Sequence, residues 1–392
     1  MKLTKMSLVA ALLVGSSAFA IDNVKISGDA KLFYSTDDSN GGDLLDKTTS
    51  FGQAALGLGL TADLDKNVKA TVHMTALSTL GLENQLVVNV WEGTNGVDDY
   101  YWFDEAYLSA NVAKTTVQIG RMKLATPLVY SEEWSIAANS FEAAVAVNKD
   151  LPDTTLVGAY VGASNGAAEN GAPAIGKANV ITAVNANGTS NFSQFYQGAF
   201  AAGLVNNSWK PLTVQAWYYN ASHVATAYWV SADLSMNGIL AGAQYTVTDL
   251  EGADAGQAAA VMAGYALKDV VTLKVAYSKV GSDNNAGFNL SGAGSSSLYT
   301  SGWWSTTLVS EKDTDAFSLS AEATVAGLDL GLYMVKATKG TKVDSSDSAH
   351  EETLTVSKSF GSLDTSVAVI HTNDYSAADA VNTVQAYLTY NF

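Results

Sequence analysis

The sequence predicts an all-β chain: a transmembrane, antiparallel, up-and-down barrel of about 18 strands, with about 16 as the alternative count. Four observations carry that expectation. Apolar and polar residues alternate with a period of two in segment after segment, from Val24 to the last residue. The chain is poor in charge, at 15%, where ordinary globular chains carry roughly 25%. Beyond the first 20 residues it nevertheless has no apolar run of the roughly 20 residues that a membrane helix needs. The connections between alternating segments are by turns short and long, as they are on the two rims of a membrane barrel.

The first 20 residues, MKLTKMSLVAALLVGSSAFA, place Lys2 and Lys5 before an apolar stretch from Met6 to Val14 and end on Ala18-Phe19-Ala20. A positive start, a short apolar core and a small-x-small ending read as a Sec-type signal peptide, cut between Ala20 and Ile21. The apolar stretch is too short for an anchor helix. A single barrel domain is expected over residues 21–392.

Within that domain Val24, Ile26, Ala30, Leu32 and Tyr34 share one face, and Lys25, Ser27, Asp29 and Lys31 the other. Like segments follow over 54–62, 68–76, 106–110, 117–119 and 141–147, then a segment near 154–163 and a weaker one over 194–204. The weakness of these two keeps the lower strand count open. The pattern resumes over 212–218, 228–234, 239–247, 259–267, 271–277, 317–323, 328–334, 351–360 and 363–371. Segments of roughly 8–13 residues suit tilted strands crossing a bilayer. Strand phase directs Lys25, Asp29, Lys31, Lys69, His73, Glu105, Glu142, Asp233, Lys274, Glu322 and Asp329 into the lumen.

Short turns fall at 63–67, 111–114, 149–153, 235–238, 268–270, 325–327 and 361–362; long polar loops fall at 37–49, 78–100, 122–140, 164–193, 281–314 and 339–350. Aromatic clusters at Tyr100–Phe103, Trp217–Tyr219, Tyr228-Trp229 and Trp303-Trp304 suit the two membrane–water interfaces, where amphipathic rings settle.

The last strand puts Val384, Ala386, Leu388, Tyr390 and Phe392 on one face and Gln385, Tyr387, Thr389 and Asn391 on the other. Its ending resembles the C-terminal signature of bacterial outer-membrane barrels, which implies that Tyr390 and Phe392 form an assembly signal for the barrel assembly machinery. The whole chain resembles the Campylobacter-type major outer membrane porins and, more distantly, the OprD type of substrate-selective porin. The most distinctive stretch is Phe103-Asp104-Glu105-Ala106-Tyr107-Leu108, then Val117-Gln118-Ile119-Gly120-Arg121-Met122-Lys123-Leu124, then a loop to Phe141. The resemblance implies a barrel among outer-membrane lipid and lipopolysaccharide, homotrimers, and a third extracellular loop, here 122–140, folded into the lumen as a constriction. The candidate constriction residues are Arg121, Lys123, Tyr130, Glu132, Glu133 and Trp134. Mixed charges at an aperture would sort solutes by size and charge. The OprD type lines its lumen with an arginine ladder; this chain has the single arginine Arg121. That departure points away from a dedicated carboxylate channel and toward a general pore.

Composition narrows the function classes. With no cysteine, thiol catalysis, disulfides and thiolate metal sites are excluded. A formal charge of -17, or -19 without Lys2 and Lys5, argues against nucleic acid, whose phosphates call for clustered Lys and Arg. In a pore the same excess favours cations. The four histidines, His73, His223, His350 and His371, show no metal-ligand spacing, and no catalytic motif is present. The acidic pairs Asp37-Asp38, Asp98-Asp99 and Glu351-Glu352 offer hard oxygen ligands to divalent cations or simply solvate loops. The expectation is passive diffusion of small hydrophilic solutes and ions, without enzymatic activity or cofactor. The alternatives are a barrel acting as adhesin or surface antigen and a soluble secreted β-protein.

Overall fold

A computed structural model describes residues 22–78, 80, 100–133, 136–166, 192–291, 294–340, 348–375 and 380–392. The expected signal peptide, with Ala18 and Ala20, and the constriction candidate Trp134 lie outside the described residues.

Strands β1 (Asp22–Asp37), β2 (Ser50–Asp65), β3 (Val68–Ser78), β4 (Tyr100–Val112), β5 (Thr115–Met122), β6 (Phe141–Asn148), β7 (Thr154–Ser164), β8 (Ser193–Asn206) and β9 (Leu212–Ala221) form one half of the wall. The other half consists of β10 (Ala225–Met236), β11 (Ile239–Leu250), β12 (Gly256–Leu267), β13 (Val271–Val280), β14 (Thr314–Val325), β15 (Leu328–Lys339), β16 (Ser348–Phe360), β17 (Leu363–Asn373) and β18 (Val381–Asn391). Each pairs antiparallel with its neighbours in sequence in one 18-stranded sheet, and β1 also pairs with β18. The sheet is therefore closed and has no free edge. Closure is what allows strands to span a membrane, because every backbone N–H and C=O finds a partner without water. The two weak segments are strands β7 and β8, which settles the count at 18.

The wall reads as two faces. Ile26, Leu108, Ile119, Val230, Val261, Leu354 and Val369 are all among the exposed large apolar side chains. Such side chains each gain about 1.5–3 kcal/mol on leaving water for hydrocarbon. The aromatic clusters divide by the same alternation. Tyr101, Phe103, Tyr218 and Tyr228 stand outside, 40–49% exposed, while Trp102, Trp217, Tyr219 and Trp229 are buried against material inside the barrel.

Turns on one rim are tight. Asn237 and Gly238, between β10 and β11, take φ of 53° and 84°. Both values are left-handed, as a two-residue hairpin turn matching the strand twist requires, and Asn-Gly adopts them cheaply. The opposite rim carries the long loops, with two exceptions: 222–224 and 251–255 are short. There the loop between β13 and β14 leans over the rim instead, with Gly281 N–H donating to Gln257 C=O at 2.8 Å and Asn284 Nδ2 to Asp254 C=O at 3.3 Å. The loop lengths thus alternate less regularly than the sequence leads one to expect.

One strand has its phase inverted relative to expectation. On β6, Phe141, Ala143 and Val145 are buried and belong to an internal cluster with Leu128 and Val129. Glu142 alternates with them. It is the register partner of Arg121, whose phase it shares with the 60% exposed Ile119. Glu142 therefore stands on the outer face and not in the lumen. The apolar face of β6 turns inward because a loop, and not water, covers it there.

Candidate constriction of the lumen

The loop that follows β5 folds back on itself before crossing the barrel. Thr126 N–H and Oγ1 both donate to Val129 C=O, at 3.1 and 2.7 Å, and Ser131 N–H donates to Leu124 C=O at 2.8 Å. The hairpin tip meets the far wall, where Leu128 N–H donates to the hydroxyl of Tyr219 on β9 at 3.3 Å. On its other flank Ile136 and Ala137 pack with Phe33, Ala55, Leu77 and Trp102 from β1 to β4. Residues 123–133 and 136–140 thus reach opposite walls of the interior.

A second loop, described over 281–291 and 294–313, also enters the barrel, although its sequence is that of a long polar loop. Its contacts reach deep. Tyr299 Oη donates to Asp233, three residues above the end of β10, and Tyr299 N–H donates to Gln244 Oε1 at 3.0 Å. Ser278 and Thr300 share a hydroxyl hydrogen bond of 2.6 Å. Burial, reinforced by the Asp233 carboxylate, raises the Tyr299 phenol well above its usual range, so it remains a donor. Leu308 and Val309 pack under β14, β15 and β16. The firmest anchor is Glu351 of β16, 1% exposed. Its carboxylate accepts from the backbone N–H groups of Trp303 (2.9 Å), Trp304 (3.1 Å) and Ser305 (2.5 Å), and from Thr353 Oγ1 (2.8 Å). Successive N–H groups converging on one anion make a nest. Gly302 permits the approach, since a Cβ there would lie 2.6 Å from Glu351 Oε2.

The two loops are knitted together. Leu290 N–H donates to Leu128 C=O at 2.9 Å, and Ser297 Oγ to Pro127 C=O at 2.5 Å. The hub is Glu132, 2% exposed, which accepts from Asn289 Nδ2 at 2.9 Å and from Ser295 Oγ at 3.0 Å. Tyr130 Oη donates to Ser295 C=O at 2.9 Å. Desolvation, with Glu132 nearby, raises the Tyr130 phenol far above its ordinary value. Beside this junction lies an open cleft lined by Lys123, Tyr130, Glu133, Ser295 and Thr306 among others.

The sequence-selected residues thus separate into groups. Tyr130 and Glu132 hold the junction. Lys123 and Glu133 pair at 3.7 Å, with Glu133 68% exposed toward the cleft. Arg121 is drawn into the wall, bonded to Phe103 C=O at 2.7 Å and to Glu142 at 2.6 Å, with Phe192 over its guanidinium at 3.6 Å. Arg121 follows the outward phase of Ile119, and its guanidinium is taken up by Phe103, Glu142 and Phe192.

The inward strand positions carry a mixed-charge wall. Asp29 pairs with Lys31 at 3.2 Å, and His73 lies between Asp29 (3.7 Å) and Asp104 (2.6 Å). Asp104 occupies an irregularity in the β3–β4 register opposite His73 and Met74, which is why simple alternation missed it. Lys69 pairs with Asp63 at 3.3 Å. Lys25, Glu105 and Lys274 share the inward phases of their strands. Glu322 accepts from Tyr333 Oη at 2.9 Å, and Asp329 from Thr324 Oγ1 at 2.6 Å. At the chain end, Phe392 and Gly28 exchange backbone hydrogen bonds of 2.8 and 2.9 Å, and the Tyr390 and Phe392 rings stack on the outer face with centroids 6.3 Å apart.

The histidines are not all dispersed in space. Strand pairing brings the rings of His350 and His371 to 5.7 Å, with Glu352 beside them. Two strands supply these residues, so no local spacing could have revealed them. The Glu351-Glu352 pair is also divided by the strand, one carboxylate inside and one outside.

Comparison with known proteins agrees with this architecture. A family model described as Gram-negative porin matches residues 7–295. OpdK of Pseudomonas aeruginosa superposes with a TM-score of 0.74 at 12% identity, over 95% of this chain and 99% of that one. OccK8 (OprE) of the same organism gives 0.72 at 14%, over 95% and 99%, and OccK3 (OpdO) gives 0.69 at 12%, over 95% and 96%. At such identities the likeness shows the fold. A search of curated protein sequences finds no match.

Proposed function

Since the chain belongs to the Gram-negative porin family, and so forms a channel for small solutes in the bacterial outer membrane, we propose that loops 123–140 and 281–313 together form its constriction. The family match is to Gram-negative porins at large, not to the Campylobacter-type group in particular; the structural neighbours are of the OprD-related kind. The observation that carries the proposal is the Glu132 junction, which joins two inward loops to each other while each is fastened to a different stretch of wall. Loops tied at both ends narrow a pore without closing and opening on each passage. Solutes diffuse passively past them, and the channel carries out no chemistry.

Cation preference is the finer part of this reading. Glu133 presents an exposed carboxylate at the cleft, and the inward strand positions hold more carboxylates than amines. The mature barrel is taken to begin near Ile21 and to assemble as trimers amid lipid and lipopolysaccharide, with Tyr390 and Phe392 presented to the assembly machinery. Planar-bilayer recordings of purified full-length barrel test the reading. Stable ohmic conductance with a reversal potential favouring cations in a salt gradient is expected. Silence from correctly folded protein would refute the pore, and anion preference would refute the selectivity.

A further inference from the structure

The extracellular end of the outer wall holds a second constellation, away from the lumen. His350 and Glu352 are alternate residues of β16, and His371 on β17 is the register partner of Glu352. They continue the outward phases of Leu354 and Val369, which are 49% and 48% exposed. All three side chains therefore stand on the outer surface, within a few residues of the long-loop rim. One ligand atom from each lies within 4.8 Å of the other two.

The ring of His371 is oriented from behind. Its Nδ1 lies 2.8 Å from Asn382 Oδ1. Asn382 is fixed in turn by Asp38, whose carboxylate accepts from the Asn382 backbone N–H at 2.7 Å and from Nδ2 at 2.6 Å. With Nδ2 committed as donor, Oδ1 accepts. In the neutral ring the proton therefore sits on His371 Nδ1, which leaves the lone pair on Nε2. A ligating histidine is characteristically held in this way, with its second nitrogen donating to an oxygen that is itself fixed. Lys336, opposite His350 on β15, is exposed, so its flexible stem can carry the charge out to water.

We propose that His350, Glu352 and His371 form a binding site for a divalent transition metal of the Zn²⁺ class. Two imidazoles and one carboxylate suit Zn²⁺, Cu²⁺ or Ni²⁺ and do not suit Ca²⁺ or Mg²⁺, which take oxygen ligands throughout. Three protein ligands leave one tetrahedral position open toward the outer surface. The site draws on no residue of the constriction, so it stands or falls independently of the pore reading.

The test uses the full mature barrel, purified in detergent without a histidine tag and titrated with Zn²⁺ alone against a chromophoric chelator. One Zn²⁺ per chain is expected, undisturbed by excess Ca²⁺. The double variant His350→Ala/His371→Ala should lose the binding, as should Glu352→Gln, with channel conductance and heat-modifiable gel mobility unchanged. Asn382→Ala should weaken it about 10–100-fold, the usual penalty for removing an orienting partner. Absence of stoichiometric Zn²⁺ binding by folded wild-type protein would overturn the proposal. Retention by the double variant would overturn it too, and would place the ion elsewhere, as at His73 with Asp29 and Asp104. If the double variant does not fold, Glu352→Gln decides.

Discussion

Glu132 and Glu133 are neighbours in sequence with opposite fates. Glu132 is buried among Asn289 and Ser295; Glu133 is exposed beside Lys123. Removing the Glu132 carboxylate strands the donors it serves, at about 1–3 kcal/mol for a buried group left unsatisfied. Glu132→Ala should therefore lower the unfolding midpoint in urea and make single-channel current noisier, since the two loops lose their common hub. Glu133→Gln should leave the midpoint within about 0.5 kcal/mol and reduce the cation-selective reversal potential. Equal effects of both variants on both readouts would contradict this division. The sequence brought these residues to notice together because both belong to a loop resembling a constriction. It could not separate them, because an irregular loop has no period from which burial can be read. Arg121 and Glu142 illustrate the opposite case. Arg121 follows Ile119 in phase and so lies on the outward register of β5; the phase of Glu142 is inverted because the apolar face of β6 meets a loop inside the barrel and not lipid.

At the scale of elements, the strands were legible because each separates two solvents, and a period of two is the direct imprint of that separation. Loop 281–313 was not legible. Its Gly- and Ser-rich stretch looks like solvated surface, yet small residues are what let the backbone approach Glu351 closely enough for three N–H groups to converge. Replacing residues 287–309 with a short flexible linker should enlarge single-channel conductance severalfold while heat-modifiable mobility persists; an unchanged conductance would mean the loop does not obstruct the path. A smaller element, the junction of β1 with β18, carries a pH prediction. The Asn382 side chain and backbone N–H hold the Asp38 carboxyl below its usual 3.8. A depressed value means that this contribution is in place above about pH 3.8 and is lost as pH falls through the lower folded-state value. The Asn382 amide should therefore remain protected from hydrogen exchange at mildly acidic pH and lose protection only in stronger acid, whereas Asp38→Ala should lack that protection throughout.

For the whole molecule, the closed 18-stranded sheet fixes which charges face water inside, and this determines what the net charge means. An excess of carboxylates in loops would only keep the barrel soluble at its rims. The strand register instead places Asp29, Asp63, Asp104, Glu105, Asp233, Glu322 and Asp329 inward against Lys25, Lys31, Lys69 and Lys274. Asp29 and Asp63 are each within ion-pair distance of a lysine, and Asp233 is capped by Tyr299. The residual field is therefore modest and spread along the path, not concentrated at one ring. Such a field acts across the aqueous lumen and must be screened by the ions that fill it. The Debye length is about 10 Å at 0.1 M salt and about 3 Å at 1 M. Cation preference should accordingly be clear in gradients centred near 0.1 M and fade toward the free mobility ratio near 1 M. A narrow ring of unpaired carboxylates would behave differently, keeping its preference at high salt because a permeating ion touches it directly. Reversal potentials measured at constant gradient ratio across that range separate the two, and persistence of strong selectivity at 1 M would overturn the distributed-wall account.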